Sequence, residues 1–177
     1  MGKIKVSLYL SLDGIMEEPG LWHMPYWDDE MANFQRDVFY GTDALLLGRV
    51  TYEGFAAAWP KMKGEGADEM NAMPKYVATT TLEDPIWNAS FIKNNIVEEV
   101  IKLKQKTDQN YLIYGSGQLV RTLMDHNLID EYRFMVHPVV LGKGKQLYTE
   151  QNQKKLKLVS MKATTKGVAL LSYQPAE

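Results

Sequence analysis

Two short apolar runs, each stopped by a glycine and followed at once by a helical pattern, constrain this chain more than any other feature. Ala44-Leu45-Leu46-Leu47 ends at Gly48, and Tyr111-Leu112-Ile113-Tyr114 ends at Gly115. A strand without polar alternation belongs inside a sheet covered on both faces. Strand followed by helix, repeated along a chain, predicts a mainly parallel sheet flanked by helices.

The other segments fit around these two. Ile4, Val6, Leu8 and Leu10 alternate with Lys5, Ser7, Tyr9 and Ser11, which predicts a first strand. It runs into Leu12-Asp13-Gly14 and an aromatic loop through Pro19-Gly20 and Pro25. A helix is expected from about Asp28-Asp29, whose charges suit an N-terminus, with Met31, Phe34 and Val38 on its buried side. A short helical stretch follows Gly48; Lys61 to Asp68 reads as an exposed, mobile loop and Lys75 to Thr79 as a strand. Ile96, Val97, Val100, Ile101 and Lys104 trace a helix, and Leu119, Val120, Leu123 and Met124 another that stops near Asn127. Tyr132, Phe134 and Val136 alternate as a strand. After Gly142-Lys143-Gly144, the runs Leu156 to Met161 and Val168 to Tyr173 follow with no helix between them, as an antiparallel pair at the sheet edge would.

At 177 residues, a single domain spanning 1–177 is the expectation. The net charge is -2 and the lysines form no single basic face, which argues against a nucleic-acid partner. No apolar run approaches the roughly 18 residues a membrane span requires. The strand pattern starting at Lys3 leaves no room for a signal peptide, so a cytoplasmic location is expected. With no cysteine and three scattered histidines, His23, His126 and His137, neither disulfides nor a metal site are expected.

In an open parallel sheet the ligand crevice lies outside the carboxyl ends of the strands. Gly48-Arg49-Val50-Thr51 opens a helix there, so its backbone N–H groups can receive a phosphate, with Arg49 and the Thr51 hydroxyl as further donors. Gly115-Ser116-Gly117-Gln118 repeats the arrangement, its glycines admitting a pyrophosphate close to the backbone. Two such cradles suit a dinucleotide. The same residues also fit plain strand-to-helix turns with Arg49 as a surface cation, and neither segment is a Rossmann fingerprint or a P-loop.

Ser11-Leu12-Asp13-Gly14, Leu46-Leu47-Gly48-Arg49-x-Thr51-Tyr52-Glu53 and Ile113-Tyr114-Gly115-Ser116-Gly117 resemble, in order and spacing, the dihydrofolate-reductase-like superfamily. With Val139-Val140-Leu141-Gly142-Lys143-Gly144, the chain looks particularly like the C-terminal reductase domain of bifunctional riboflavin-biosynthesis enzymes and its stand-alone bacterial relatives. The resemblance implies a three-layer α/β fold, NADPH as cofactor and a homodimer. Gly48, Arg49 and Thr51 would hold phosphates of NADPH, Thr79, Thr80 and Thr81 would lie near its adenosine ribose and 2′-phosphate, and Gly115, Ser116, Gly117, Gln118 and Leu119 would line the pyrophosphate. The implied activity is that of a 5-amino-6-(5-phosphoribosylamino)uracil reductase. A reductase acting on dihydrofolate or another heterocycle, and a nucleotide-binding homologue without catalysis, are the rival readings.

Hydride transfer to a C=N bond needs a proton donor beside the nitrogen. Asp13 and Glu30 are the catalytic candidates, with Asp28 or Asp29 as alternatives to Glu30. Glu30 equally fits a solvated helix acid, and Asp13 a loop cap. Ser11, Trp22 and Trp27 are assigned to the substrate pocket, where Trp22, Tyr26 and Trp27 offer faces for a pyrimidine or pterin and equally fit a core or dimer contact. His126 and His137 are assigned structural roles. Two departures narrow the substrate. After Trp59 only Lys61, Lys63 and Lys75 stand where folate reductases carry a carboxylate-clamping arginine, and the H-x-E and P-C-x-x-C signature of the zinc deaminase partner is missing.

Overall fold

The computed structural model describes residues 1–106, 108–150 and 153–177. Among these, eight strands form one sheet: β1 (Ile4–Leu10), β2 (Ala44–Gly48), β3 (Lys75–Ala78), β4 (Ala89–Ile92), β5 (Tyr111–Tyr114), β6 (Glu131–Val136), β7 (Leu156–Ala163) and β8 (Ala169–Pro175), in the order β4-β3-β2-β5-β1-β6-β8-β7. The first six strands of that order run parallel; β8 pairs antiparallel with both β6 and β7. The expected mainly parallel sheet with an antiparallel C-terminal pair at its edge is therefore the observed one.

Five helices cover it: α1 (Asp29–Tyr40), α2 (Arg49–Ala58), α3 (Ala67–Ala72), α4 (Ile96–Lys106) and α5 (Gly117–Asp125). Alternate residues of each central strand serve opposite layers. Val6, Leu8, Leu46 and Ile113 pack with Val100 of α4 and Val120 and Leu123 of α5. Leu45, Leu47 and Leu112 face the other way, with Val38, Tyr52 and Met70 of α1, α2 and α3. Ala44 to Leu47 are no more than 1% exposed, which explains why this strand shows no polar alternation. Each buried leucine there contributes roughly 1.5–3 kcal/mol relative to exposure.

Local chemistry sets the boundaries. Asp28 caps α1, its carboxylate accepting the Met31 N–H at 2.9 Å, and Asn127 takes the left-handed conformation after α5 (φ 55). Two elements escaped sequence reading. α3 begins inside the stretch expected to be a loop, because only Ala67 and Met70 are buried while Asp68, Glu69 and Asn71 are polar. β4 has only four residues and begins directly after a left-handed pair, Trp87 and Asn88 (φ 58 and 56). Lys75, one of the three lysines in the stretch that lacks a clamping arginine, is 1% exposed: its Nζ donates to the carbonyls of Met70 and Asn71 and lies 3.9 Å from the Trp87 ring centre. None of the described helices is long and apolar enough to cross a membrane.

Candidate active site

Because β1, β2, β3, β5 and β6 are parallel, their carboxyl ends share one edge of the sheet. Ser11, Thr79, Gly115 and His137 each follow a strand at that edge, and Gly48 ends one. The two glycine turns are tied directly to each other. The Gly48 N–H donates to Ser116 Oγ at 2.8 Å, and the Ser116 N–H donates to Thr51 Oγ1 at 3.1 Å. The approach is close: a Cβ on Gly48 would stand 3.2 Å from Ser116 Cβ, and one on Gly115 would stand 2.9 Å from Thr51 Oγ1. Gly115 and Ser116 are both left-handed (φ 55 and 58), a costly conformation for serine that the two cross-links hold in place.

These turns start α2 and α5, and neither helix has a side-chain cap, in contrast to α1 with Asp28. First-turn N–H groups have no partner within their own helix, so each turn presents donors suited to an anion. Arg49 stands exposed at the first position of α2, its guanidinium paired with Glu53 at 2.8 Å. Such an exposed pair is weak and exchangeable for a phosphate. Gln118 is exposed, whereas the Leu119 side chain lies in the core, so only the Leu119 backbone can face a ligand. At the end of β3, Thr79 is buried and its hydroxyl accepts the N–H groups of Thr81 and Leu82, both at 3.2 Å. Thr80 and Thr81 are exposed on that turn.

The loop after β1 is fastened to the glycine-rich turn after β6. Ser11 Oγ donates to Asp13 Oδ1 at 2.6 Å and accepts the Ile15 N–H at 2.8 Å, which commits the hydroxyl to the loop itself. Asp13 also accepts the N–H groups of Gly142 (2.8 Å) and Leu141 (3.2 Å). The Ser11 hydroxyl and then the Gly142 N–H hold its carboxyl down at about 2. The same loop carries Met16 over the second turn, where a Cβ on Gly117 would meet Met16 Sδ at 2.5 Å. Glu30, in the first turn of α1, reaches the β7–β8 connection instead: it accepts the Thr165 N–H at 3.3 Å and pairs with Lys162 at 3.1 Å. Asp13 and Glu30 are thus each engaged in holding loops. Beside Glu30, the cap residue Asp28 retains a buried Oδ2 with no hydrogen-bond partner among the described residues.

On the α1 side of β1 and β6 the structure gathers an aromatic cluster. Tyr9 and His23 stack at 4.4 Å between ring centres, and Trp22, Tyr26 and Tyr9 present edges to His137 at 5.2, 5.7 and 5.9 Å. Trp27 stands edge-on to His23 at 6.1 Å. Ser7 Oγ donates to Gln35 of α1 at 2.7 Å, and Gln35 also meets the Tyr9 phenol, whose titration burial pushes upward. Burial lowers the pKa of both His23 and His137, so both rings are neutral at physiological pH. Trp22 and Trp27 thus belong to one aromatic cluster with Tyr9, His23 and His137, residues that sequence reading did not bring together. The legible signal was parity: Ser7, Tyr9 and Ser11 fall on the polar side of β1.

A family model described as the RibD C-terminal domain matches residues 3–170. The uncharacterized protein YyaP of Bacillus subtilis (strain 168) is 31% identical over 178 residues, covering 97% of this chain and 94% of its own. Among solved structures, a pyrimidine reductase-like protein from Corynebacterium diphtheriae superposes with a TM-score of 0.71 at 12% identity, covering 99% of this chain and 92% of its own. The dihydrofolate reductase of Enterococcus faecalis, solved with NADP(H) and RAB-propyl, superposes with a TM-score of 0.70 at 16% identity, covering 99% and 98%. The sheet order and helix placement described above are thus those of a dihydrofolate-reductase-like fold.

Proposed function

This chain belongs to the RibD C-terminal domain family, and from that premise we propose that it is an NADPH-dependent reductase of a small heterocycle, of the 5-amino-6-(5-phosphoribosylamino)uracil reductase type. The observation that carries the reading is the cross-link of Gly48, Thr51 and Ser116, which holds two uncapped helix N-termini side by side at one sheet edge. Strand β5 adjoins β2 directly, so the turns stand about one strand spacing, roughly 5 Å, apart. That spacing suits one dinucleotide gripped from two sides and is too tight for two separate anions.

The residues present fit the coenzyme. The first-turn N–H groups of α2 and α5 would hold its phosphates, with Arg49 turning from Glu53 to the 2′-phosphate and Thr80 and Thr81 beside it. NADPH, when bound, supplies the hydride. The chain's own part is to place the reacting heterocycle and keep water away. Asp13 serves here as a positioning residue: a carboxyl held ionised by three donors is a poor proton source, but it fixes the loop that carries Met16 over Gly117. Glu30 orients the β7–β8 connection. Asp28, with a buried unpartnered oxygen at the start of α1, would be the carboxylate that serves a substrate nitrogen.

Arg49→Ala tests the coenzyme assignment. A charge-assisted contact to phosphate is worth about 1.5–3 kcal/mol, so NADPH affinity should fall about tenfold or more while NADH affinity stays unchanged. Equal affinities of wild type and variant for NADPH would refute it. The aminopyrimidine substrate is favoured over folate because the stretch after Trp59 carries no arginine to clamp a glutamate tail, and Lys75 is withdrawn from that role by burial under Trp87.

A further inference from the structure

His137 is wholly buried at the end of β6, and its two ring nitrogens are in opposite situations. Nδ1 lies 2.9 Å from the Met135 carbonyl and 3.3 Å from the Leu10 carbonyl. Carbonyl oxygens only accept, so Nδ1 carries the proton and the neutral ring leaves Nε2 as a bare acceptor. That Nε2 is buried with no hydrogen-bond partner among the described residues. Native interiors rarely leave such an atom unmet. The rings of Trp22, Tyr26, Tyr9 and His23 pack edge-to-face with the imidazole, at 5.2, 5.7, 5.9 and 6.2 Å between ring centres.

The covering segment is lightly held. It consists of two three-residue turns, Pro19–Leu21 and Met24–Tyr26, and enters through Glu18 in the left-handed region (φ 43). Leu21 and Met24 point to solvent at 79% and 59% exposure. The His23 ring lies flat on Tyr9, with an interplanar angle of 23°, and its own buried Nδ1 also lacks a partner. A planar ring resting on Tyr9 beside a bare acceptor is the arrangement a bound heterocycle would make.

We propose that His137 is a specificity-determining residue: its Nε2 accepts an N–H from the substrate heterocycle, which takes the place of the His23 ring on Tyr9. The ligand class is a planar, N–H-bearing heterocycle such as an aminopyrimidine. A carbonyl edge is disfavoured, because it would set acceptor against acceptor. This rests on the reductase reading and deepens it. β6 lies two strands from β5, so His137 stands about 10 Å across the sheet from the Ser116 turn, within reach of a second ligand beside the first.

The test is calorimetric titration with 5,6-diaminouracil, with NADPH titrated in parallel, on wild type, His137→Asn and His23→Ala. Asparagine keeps a donor near the Nδ1 position and deletes Nε2, so 5,6-diaminouracil should bind roughly tenfold more weakly with NADPH affinity unchanged. His23→Ala vacates the Tyr9 face and should bind 5,6-diaminouracil more tightly. On wild type, nitrogen-15 NMR should show the His137 Nε2 signal moving upfield as 5,6-diaminouracil is added, a readout that survives if the variant fails to fold. Unchanged affinity in His137→Asn, or an unmoved Nε2 signal at saturation, overturns the inference. Wild type that binds NADPH but not 5,6-diaminouracil also overturns it and leaves the coenzyme reading standing; wild type that binds neither overturns both.

Discussion

The hydroxyl of Ser116 accepts the backbone N–H of Gly48 at 2.8 Å, joining two strand ends 68 residues apart in the chain. Ser116 holds a left-handed conformation to do so, and its own N–H is taken by Thr51. The turn after β5 is therefore shaped by the turn after β2, and neither has its geometry alone.

Ser116→Ala removes the acceptor and leaves the Gly48 N–H partly buried without a partner. Stability should fall by about 1 kcal/mol, read from denaturant midpoints, and NADPH should bind several-fold more weakly. A variant as stable as wild type that also binds NADPH equally would show the two turns to be independent.

Asp13 makes the fold sensitive to acid in a defined window. Its carboxyl titrates at about 2 in the folded chain against an ordinary 3.8, so the stability it contributes is present above 3.8 and is lost as pH falls toward 2. Asp13→Asn lacks this titration. In equilibrium unfolding between pH 5 and 2, wild type should lose stability relative to the variant only below pH 4; a constant difference across the range would deny the role.

Lys75 moves stability in the same direction, but in an alkaline window. Burial lowers its folded value from 10.5 to about 8, so the unfolded chain binds more protons between those values and folding is favoured as pH rises. Wild type should gain stability relative to Lys75→Met between pH 8 and 10. A flat difference in that range would mean that the Met70 and Asn71 carbonyls and Trp87 sustain the full charge.

The sheet was legible in the sequence because its strands announce their environment. Ala44 to Leu47 are uniformly apolar since both faces are covered, and Ile4 to Leu10 alternate because one side of β1 faces polar partners such as Gln35. The two glycine turns were legible for a related reason: a Cβ at Gly48 or Gly115 would crowd its neighbour. The aromatic cluster was not. Tyr9, His23 and His137 are far apart in sequence, and only the pairing of β1 with β6 and the fold-back of the 19–27 segment bring them together. Asp13 and Glu30 had the residue type that catalysis wants, but hydrogen-bond partners supplied from 128 and 135 residues away set what each carboxylate does.

The most direct test follows the backbone amides of both turns by NMR as NADPH is added. The amide signals of Arg49, Val50 and Thr51 should shift together with those of Gly117, Gln118 and Leu119, along one saturation curve. Saturable binding that moves only one of the two turns, or no saturable binding at all, would contradict a single coenzyme held between them.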